Sequence, residues 1–167
     1  MKNTLVRLVG GLLLAALMAS TPFIGLVSAQ DNLKVKNVGG GQLVGTWDVQ
    51  VTIRNCQTGV GLPPFPSTTT FMFGGTLIDS TSRFPQAAKT PGHGVWNHAG
   101  GNLYRFKFKS FTFGPTGNFT GWTIVTHEAN MDPGGNSYES AGTAEFYDAN
   151  GVLFMTGCSS TTATRFE

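Results

Sequence analysis

Charge is scarce in this chain. Asp, Glu, Lys and Arg make up 12% of its 167 residues, about half the share of an ordinary globular domain. No run of Lys and Arg stands out, which argues against a nucleic-acid partner or an anionic membrane. There are only two cysteines, Cys56 and Cys158. Their spacing matches neither a Cys-x-x-Cys redox pair nor a zinc ligand set. Three histidines, His93, His98 and His127, complete the stock of soft ligands. His93 and His98 stand five residues apart on one short strand, hence on opposite faces, and cannot share an ion; no metal site or cofactor is expected. The chain also lacks a Gly-x-Ser-x-Gly elbow, a phosphate-binding glycine loop and a paired-carboxylate motif. Nucleophilic hydrolase chemistry is therefore unsupported.

What is present begins with a leader. Lys2 and Arg7 precede an apolar run, Leu8 to Met18, and Val27-Ser28-Ala29 offers small residues for cleavage after Ala29. This is the pattern of a secretory signal peptide over residues 1–29. The rival reading is an uncleaved membrane anchor, against which Pro22 and the Val-x-Ala site argue. No cysteine follows the site, so a lipid anchor is not expected. Eleven Lys and Arg face nine Asp and Glu in the whole chain; without Lys2 and Arg7 the two signs balance. The mature protein is therefore read as secreted, with no membrane partner once the leader is gone. In an oxidising compartment Cys56 and Cys158 are expected to form a disulfide. A closed loop of about 100 residues is worth up to ~4.7 kcal/mol in the chain-entropy account.

Residues 30–43 read as a flexible lead-in ending in glycines. From there the chain is strands. In the first expected strand, Val44 to Cys56, Trp47, Val49, Val51 and Ile53 alternate with Asp48, Gln50, Thr52 and Arg54, the period of a half-buried strand. Further strands are expected over 68–73, 76–82, 93–98, 103–113, 118–129, 137–147 and 152–166, separated by Gly, Pro and Asn-Gly signals. That makes an all-β domain over residues 44–167, an eight-stranded antiparallel up-and-down barrel. Closure is the simplest way to remove both exposed edges; an open sandwich is the alternative. Placing Cys56 opposite Cys158 puts Trp47 opposite Glu167, with Arg165 on the diagonal and on the same face as Trp47. Both long, proline-bearing connections, 57–67 and 83–92, then fall at the end away from Trp47. One end is a mouth and the other a floor.

Gly45-x-Trp47 at the start of the first strand, a late Arg165 above the Trp, a leader and up-and-down strands together resemble the calycin superfamily of lipocalin-like barrels. The helix-poor pattern is equally similar to avidins and to allene oxide cyclase-like barrels. The chain departs from lipocalins in lacking a helix after the barrel and a Thr-Asp-Tyr motif. The resemblance implies an enclosed cavity holding a small, mostly apolar molecule, although some such barrels are enzymes.

Strand parity nominates Phe71, Phe73, Tyr104, Phe106, Phe108, Trp122, Tyr138 and Phe146 as a ligand-binding lining, with Ile124, Leu153 and Met155 beside them. The opposing expectation is that the same side chains simply fill an eight-stranded interior. Leu62, Phe65 and Phe84 stand in the mouth connections. Trp47, Arg165, Cys56 and Cys158 are read as structural. The expected function is binding of a small hydrophobic ligand. An isomerase- or cyclase-type enzyme in the lumen is the alternative, for which His127, Glu128 and Arg105 come first, and a filled structural module is a third. No residue is assigned as catalytic. The oligomeric state is left open. Asn118-Phe119-Thr120 is a glycosylation sequon.

Overall fold

A computed structural model describes residues 41–166; the expected leader and most of the lead-in lie outside the described residues, as does Glu167. Eight strands follow one another: β1 (Gly45–Arg54), β2 (Phe65–Met72), β3 (Thr76–Thr81), β4 (Gly92–Gly100), β5 (Leu103–Phe113), β6 (Phe119–Met131), β7 (Ser137–Asp148) and β8 (Leu153–Arg165). Each pairs antiparallel with the next, and β1 pairs with β8, so the sheet is a closed up-and-down barrel. Closure leaves no edge strand to be capped. Two short 3-10 turns, Gly41–Leu43 and Gln86–Ala88, are the helical elements among the described residues.

The strand boundaries differ from the sequence reading where proline or polar residues misled it. β2 begins at Phe65, and Pro66 stands opposite Gln50 of β1. The Pro66 carbonyl accepts the Ser82 amide at 3.0 Å just past the end of β3. A missing N–H is tolerated where a ladder ends. β6 runs to Met131, two residues beyond the expected stop.

The register at the closing seam also differs from the one inferred through the cysteines. Trp47 stands directly opposite Arg165, and Cys158 opposite Arg54. Cys56 lies past the end of β1 and bonds Cys158 across 102 residues with the Cα atoms 5.1 Å apart. The shift is two residues, so inward parity is unchanged. A disulfide between a strand and a turn residue does not require its cysteines to be directly paired, and that assumption produced the offset.

The floor is built on Trp47, which is completely buried. Its indole donates to the Leu43 carbonyl at 2.9 Å. The Arg165 guanidinium lies 4.5 Å from the Trp47 ring centroid. It donates to the carbonyls of Val44 at 3.0 Å, Gly135 at 2.9 Å and Gln42. One side chain therefore ties the entry turn, the β6–β7 connection and β8 together, while a cation–π contact covers the indole. Above Trp47 the barrel fills with aromatics in edge-to-face contact. Tyr138 lies 4.9 Å from Trp47, and Phe71 lies 5.4 Å from Phe106. Leu43, Leu77, Tyr104, Ala129, Met131 and Ala163 complete this lower core.

Candidate functional site: the upper lumen

Above the aromatic layer the interior opens. A cavity of about 130 Å³ occupies the upper half of the barrel, room for on the order of ten waters at ~10–15 Å³ of such volume each. That is below the ~300–1,000 Å³ of drug-sized ligand pockets, so the space suits only a small molecule. Its walls are mostly apolar: Val49, Val51 and Ile53 from β1, Phe106 and Phe108 from β5, Val125 from β6, Ala144 and Phe146 from β7. The chain places these residues here by simple alternation. Even-numbered positions on β5 and β7 and odd-numbered ones on β1 and β6 point inward.

Two glycine-dependent contacts give the cavity its shape. A Cβ on Gly94 would fall 2.6 Å from the Phe108 Cβ and 2.0 Å from the Lys107 carbonyl. A Cβ on Gly142 would fall 1.9 Å from the Thr126 carbonyl and 2.6 Å from the His127 ring. The strands approach Phe108 and His127 so closely that only glycine fits beside them.

Two polar groups interrupt the apolar wall. The first centres on Asp79, whose Oδ2 accepts the Thr69 hydroxyl at 2.8 Å and the Ser67 hydroxyl at 3.0 Å. Burial pushes the Asp79 carboxyl above its ordinary range, opposed by the Thr69 hydrogen bond, the Lys89 charge and the Ser67 hydrogen bond. Lys89 enters from the β3–β4 connection, where it bridges to Thr112. Burial lowers the Lys89 ammonium from its ordinary value, and the Asp79 charge works against that shift. Tyr138 is pushed far above the usual tyrosine range by burial and by the Asp79 charge, with Thr69 acting the other way.

The second polar group centres on His127, which is 3% exposed. Its Nδ1 is 2.8 Å from the Ser140 hydroxyl and its Nε2 is 2.8 Å from the Ser159 hydroxyl. Ser140 also meets the Thr161 hydroxyl at 2.6 Å. In a neutral imidazole one of these hydroxyls donates to the bare ring nitrogen and the other accepts from the ring N–H. The ring is thus satisfied without a charge, and burial lowers its pKa to about 4. Phe106 packs against it at 5.4 Å.

The eight nominated lining residues separate into three groups. Phe106, Phe108, Tyr138 and Phe146 line the cavity, as do Phe65 and Phe84 from the mouth. Phe71 and Tyr104 are buried below it in the filled floor. Phe73 and Trp122 are on the outside: Phe73 keeps the inward parity of β2 but lies beyond its end, whereas the parity assigned to Trp122 is corrected. Phe73 follows the end of β2 and is 76% exposed. Trp122 stacks on Tyr147 at 5.5 Å beneath the Lys109 ammonium, on the outer face. Ile124 shares that outer face, and Leu153 and Met155 are exposed. The lower half of the barrel is filled and the upper half is hollow, so the two rival readings of the aromatics apply to different levels of one interior.

Of the three residues put first for chemistry, His127 reaches the lumen. Arg105 and Glu128 form an exposed pair at 2.6 Å, each 57% exposed, the kind of surface contact that contributes little. His93 lies on the outer, exposed face of β4, and His98 meets the Gly101 carbonyl at 2.7 Å near the floor. Among the described residues, no three His, Cys, Asp or Glu side chains converge on one point.

Sequence reasoning missed Asp79, Lys89 and the Ser140–Ser159–Thr161 set. In Thr76 to Thr81 both parities carry one apolar residue, Leu77 or Ile78, so the inward face was ambiguous. On β6 the signal existed: extending the strand to Met131 puts Ala129 and Met131 on the parity of His127 and turns Trp122 outward.

The fold and site together define a closed, antiparallel eight-stranded barrel, filled at one end and hollow at the other. Neither a protein family nor a curated protein matches this chain.

Proposed function

We propose that this protein is a secreted, calycin-like barrel that binds a small, mostly apolar molecule in its upper lumen. The observation that carries the reading is an apolar cavity bordered by a few convergent polar groups, Asp79, Lys89, His127 and Tyr138. Such pockets take an apolar body and orient it through few polar contacts. The Gly45–Trp47–Arg165 floor and the up-and-down topology support the calycin-like assignment. The leader pattern and the Cys56–Cys158 disulfide support secretion. The ligand's polar group sits against the Asp79–Lys89 side or the His127 side, and its body against Val49, Val51, Phe108 and Phe146.

A plugged lumen tests this. Ala144 points into the cavity from β7, so Ala144→Phe fills it from the wall. The parent barrel is expected to bind the neutral dye phenylnaphthylamine with one site, and Ala144→Phe to weaken that binding about tenfold or more, the loss of roughly 1.4 kcal/mol. Overpacking costs about 1–3 kcal/mol of stability, so circular dichroism first establishes that the variant is folded. Equal dye affinity in parent and folded variant would overturn the reading. Native mass spectrometry of the secreted protein then identifies what it carries.

A second reading rests on His127. A neutral imidazole held between two hydroxyls and facing an apolar cavity is suited to accept or relay a proton. A lumen isomerase or cyclase would use it that way. His127→Gln abolishing turnover of a carried ligand while leaving its binding intact would favour this reading over simple binding.

A further inference from the structure

We propose that the mouth end of this barrel docks onto an anionic lipid surface, with the lumen opening toward the bilayer. Each of the four connections at that end either carries an exposed large apolar side chain or leads directly into one. Leu62 belongs to the β1–β2 connection, Phe84 to β3–β4 and Val152 to β7–β8, while Phe119 opens β6 and Leu153 and Phe154 open β8. Phe154 is 64% exposed, and Val60, beside Leu62, is 70% exposed. At the floor end the exposed large apolar side chains among the described residues are Met72, Phe73, Val95 and Phe166. Apolar residues distributed around the whole circumference of one end meet a plane. They do not form a groove for a peptide or a compact patch for a globular partner. A lipid interface is such a plane, and it takes up Phe and Leu side chains at the headgroup boundary.

The charges follow the same axis. Arg54, Arg83 and Lys109 are exposed near the mouth, and Lys89 is half-buried in it. The acids at that level are Glu145, which accepts the Tyr147 hydroxyl at 3.0 Å, and Asp148, which caps the amides of Asn150 and Val152. Toward the floor, among the described residues, Asp48, Glu128, Asp132 and Glu139 outnumber Arg105 and Arg165. Lys107 lies between the two ends and Asp79 inside. Among the described residues, where seven Lys and Arg face seven Asp and Glu, charge is thus polarised by the fold, with cations set behind an apolar rim. That arrangement suits anionic headgroups. It disfavours a second copy meeting rim to rim, because the same cations would face each other. Averaged composition pointed away from a membrane because it cannot show which end of a barrel a charge occupies.

Docking stands on the rim alone; only the idea that an apolar ligand enters the lumen from the bilayer rests on the ligand-binding reading. The test uses co-sedimentation of the purified mature protein with phosphatidylcholine vesicles and with mixed phosphatidylcholine–phosphatidylglycerol vesicles. The parent barrel is expected to bind the mixed vesicles, and added salt to weaken that binding. Changing Leu62→Ser, Phe119→Ser and Phe154→Ser together removes three exposed rim side chains that do not line the cavity. This variant is expected to lose about tenfold or more in vesicle partitioning, while keeping its phenylnaphthylamine affinity. Ala144→Phe is expected to do the reverse, losing dye and keeping vesicles. Docking is overturned if the parent ignores anionic vesicles or if the rim variant partitions as well as the parent. Rim-dependent dimers on size exclusion without vesicle uptake would also overturn it, by assigning the rim to a second copy. Dye binding lost in every protein with vesicle binding retained would instead remove the lumen reading and leave docking in place.

Discussion

Trp47→Ala is expected to destabilise the barrel by about 3–5 kcal/mol, the range for emptying a buried aromatic site. Three features place it toward the upper end. The indole is completely buried, so no exposed part offsets the loss. Its neighbours, Tyr138 at 4.9 Å and Arg165 at 4.5 Å, are held by strands and by backbone hydrogen bonds and cannot collapse into the gap. The Leu43 carbonyl loses its indole donor, and an unsatisfied buried acceptor costs about 1–3 kcal/mol. Trp47→Phe separates these terms, since it keeps most of the ring contact and removes the donor; it is expected to cost about half as much or less. Urea unfolding with the slope held in common measures both. A Trp47→Ala barrel within about 1 kcal/mol of the parent would mean that the floor does not hold the fold together. The lumen is far less sensitive, because a hollow site has less packing to lose.

Acidification is expected to destabilise the barrel through His127. An imidazole whose folded pKa is about 4 against 6.5 unfolded binds its proton more weakly in the native state. Between those two values the unfolded chain carries more protons, so stability rises with pH there and falls on acidification. The full contribution is present above pH 6.5 and is lost as pH falls toward 4. At ~1.36 kcal/mol per pH unit it amounts to about 3 kcal/mol. The structural cause is burial: the ring lies in the wall between Ser140 and Ser159 and against Phe106, where the charged imidazolium loses its hydration. Asp79 acts with the opposite sign in the same region. Its carboxyl titrates above the unfolded value of 3.8, so its contribution declines as pH rises. A comparison of parent with His127→Gln cancels Asp79, because both proteins contain it. The difference in urea midpoint between pH 7.5 and 4.5 is expected to be larger in the parent. Equal shifts in the two proteins would show that His127 is charged or solvated in the native barrel.

Strand count, closure, the inward face of β1 and the disulfide pair were all legible in the sequence, because each depends on a local regularity. Alternation in Trp47 to Ile53 and glycine or proline at the turns are written along the chain. A chain with only two cysteines has one possible internal pairing, and eight hairpin-linked strands close because two bare edges are costly. Trp47 and Arg165 were found together because the register error was an even number of residues.

Tertiary structure decided what the interior does. Whether an aromatic fills the floor or lines a cavity depends on its height in the barrel, which follows from strand tilt and register rather than parity. Phe71 and Phe108 have the same type and the same inward orientation and serve different levels. On β6 the choice between Trp122 and His127 as the inward residue was settled by pairing with Phe106 across the ladder. The polar pairs, Asp79 with Ser67 and Thr69, and His127 with Ser140 and Ser159, join residues 10 to 32 positions apart. No local pattern records such distances. The exposed apolar rim and the segregation of charge toward one end likewise exist only once alternate connections are gathered at the same end of a closed sheet.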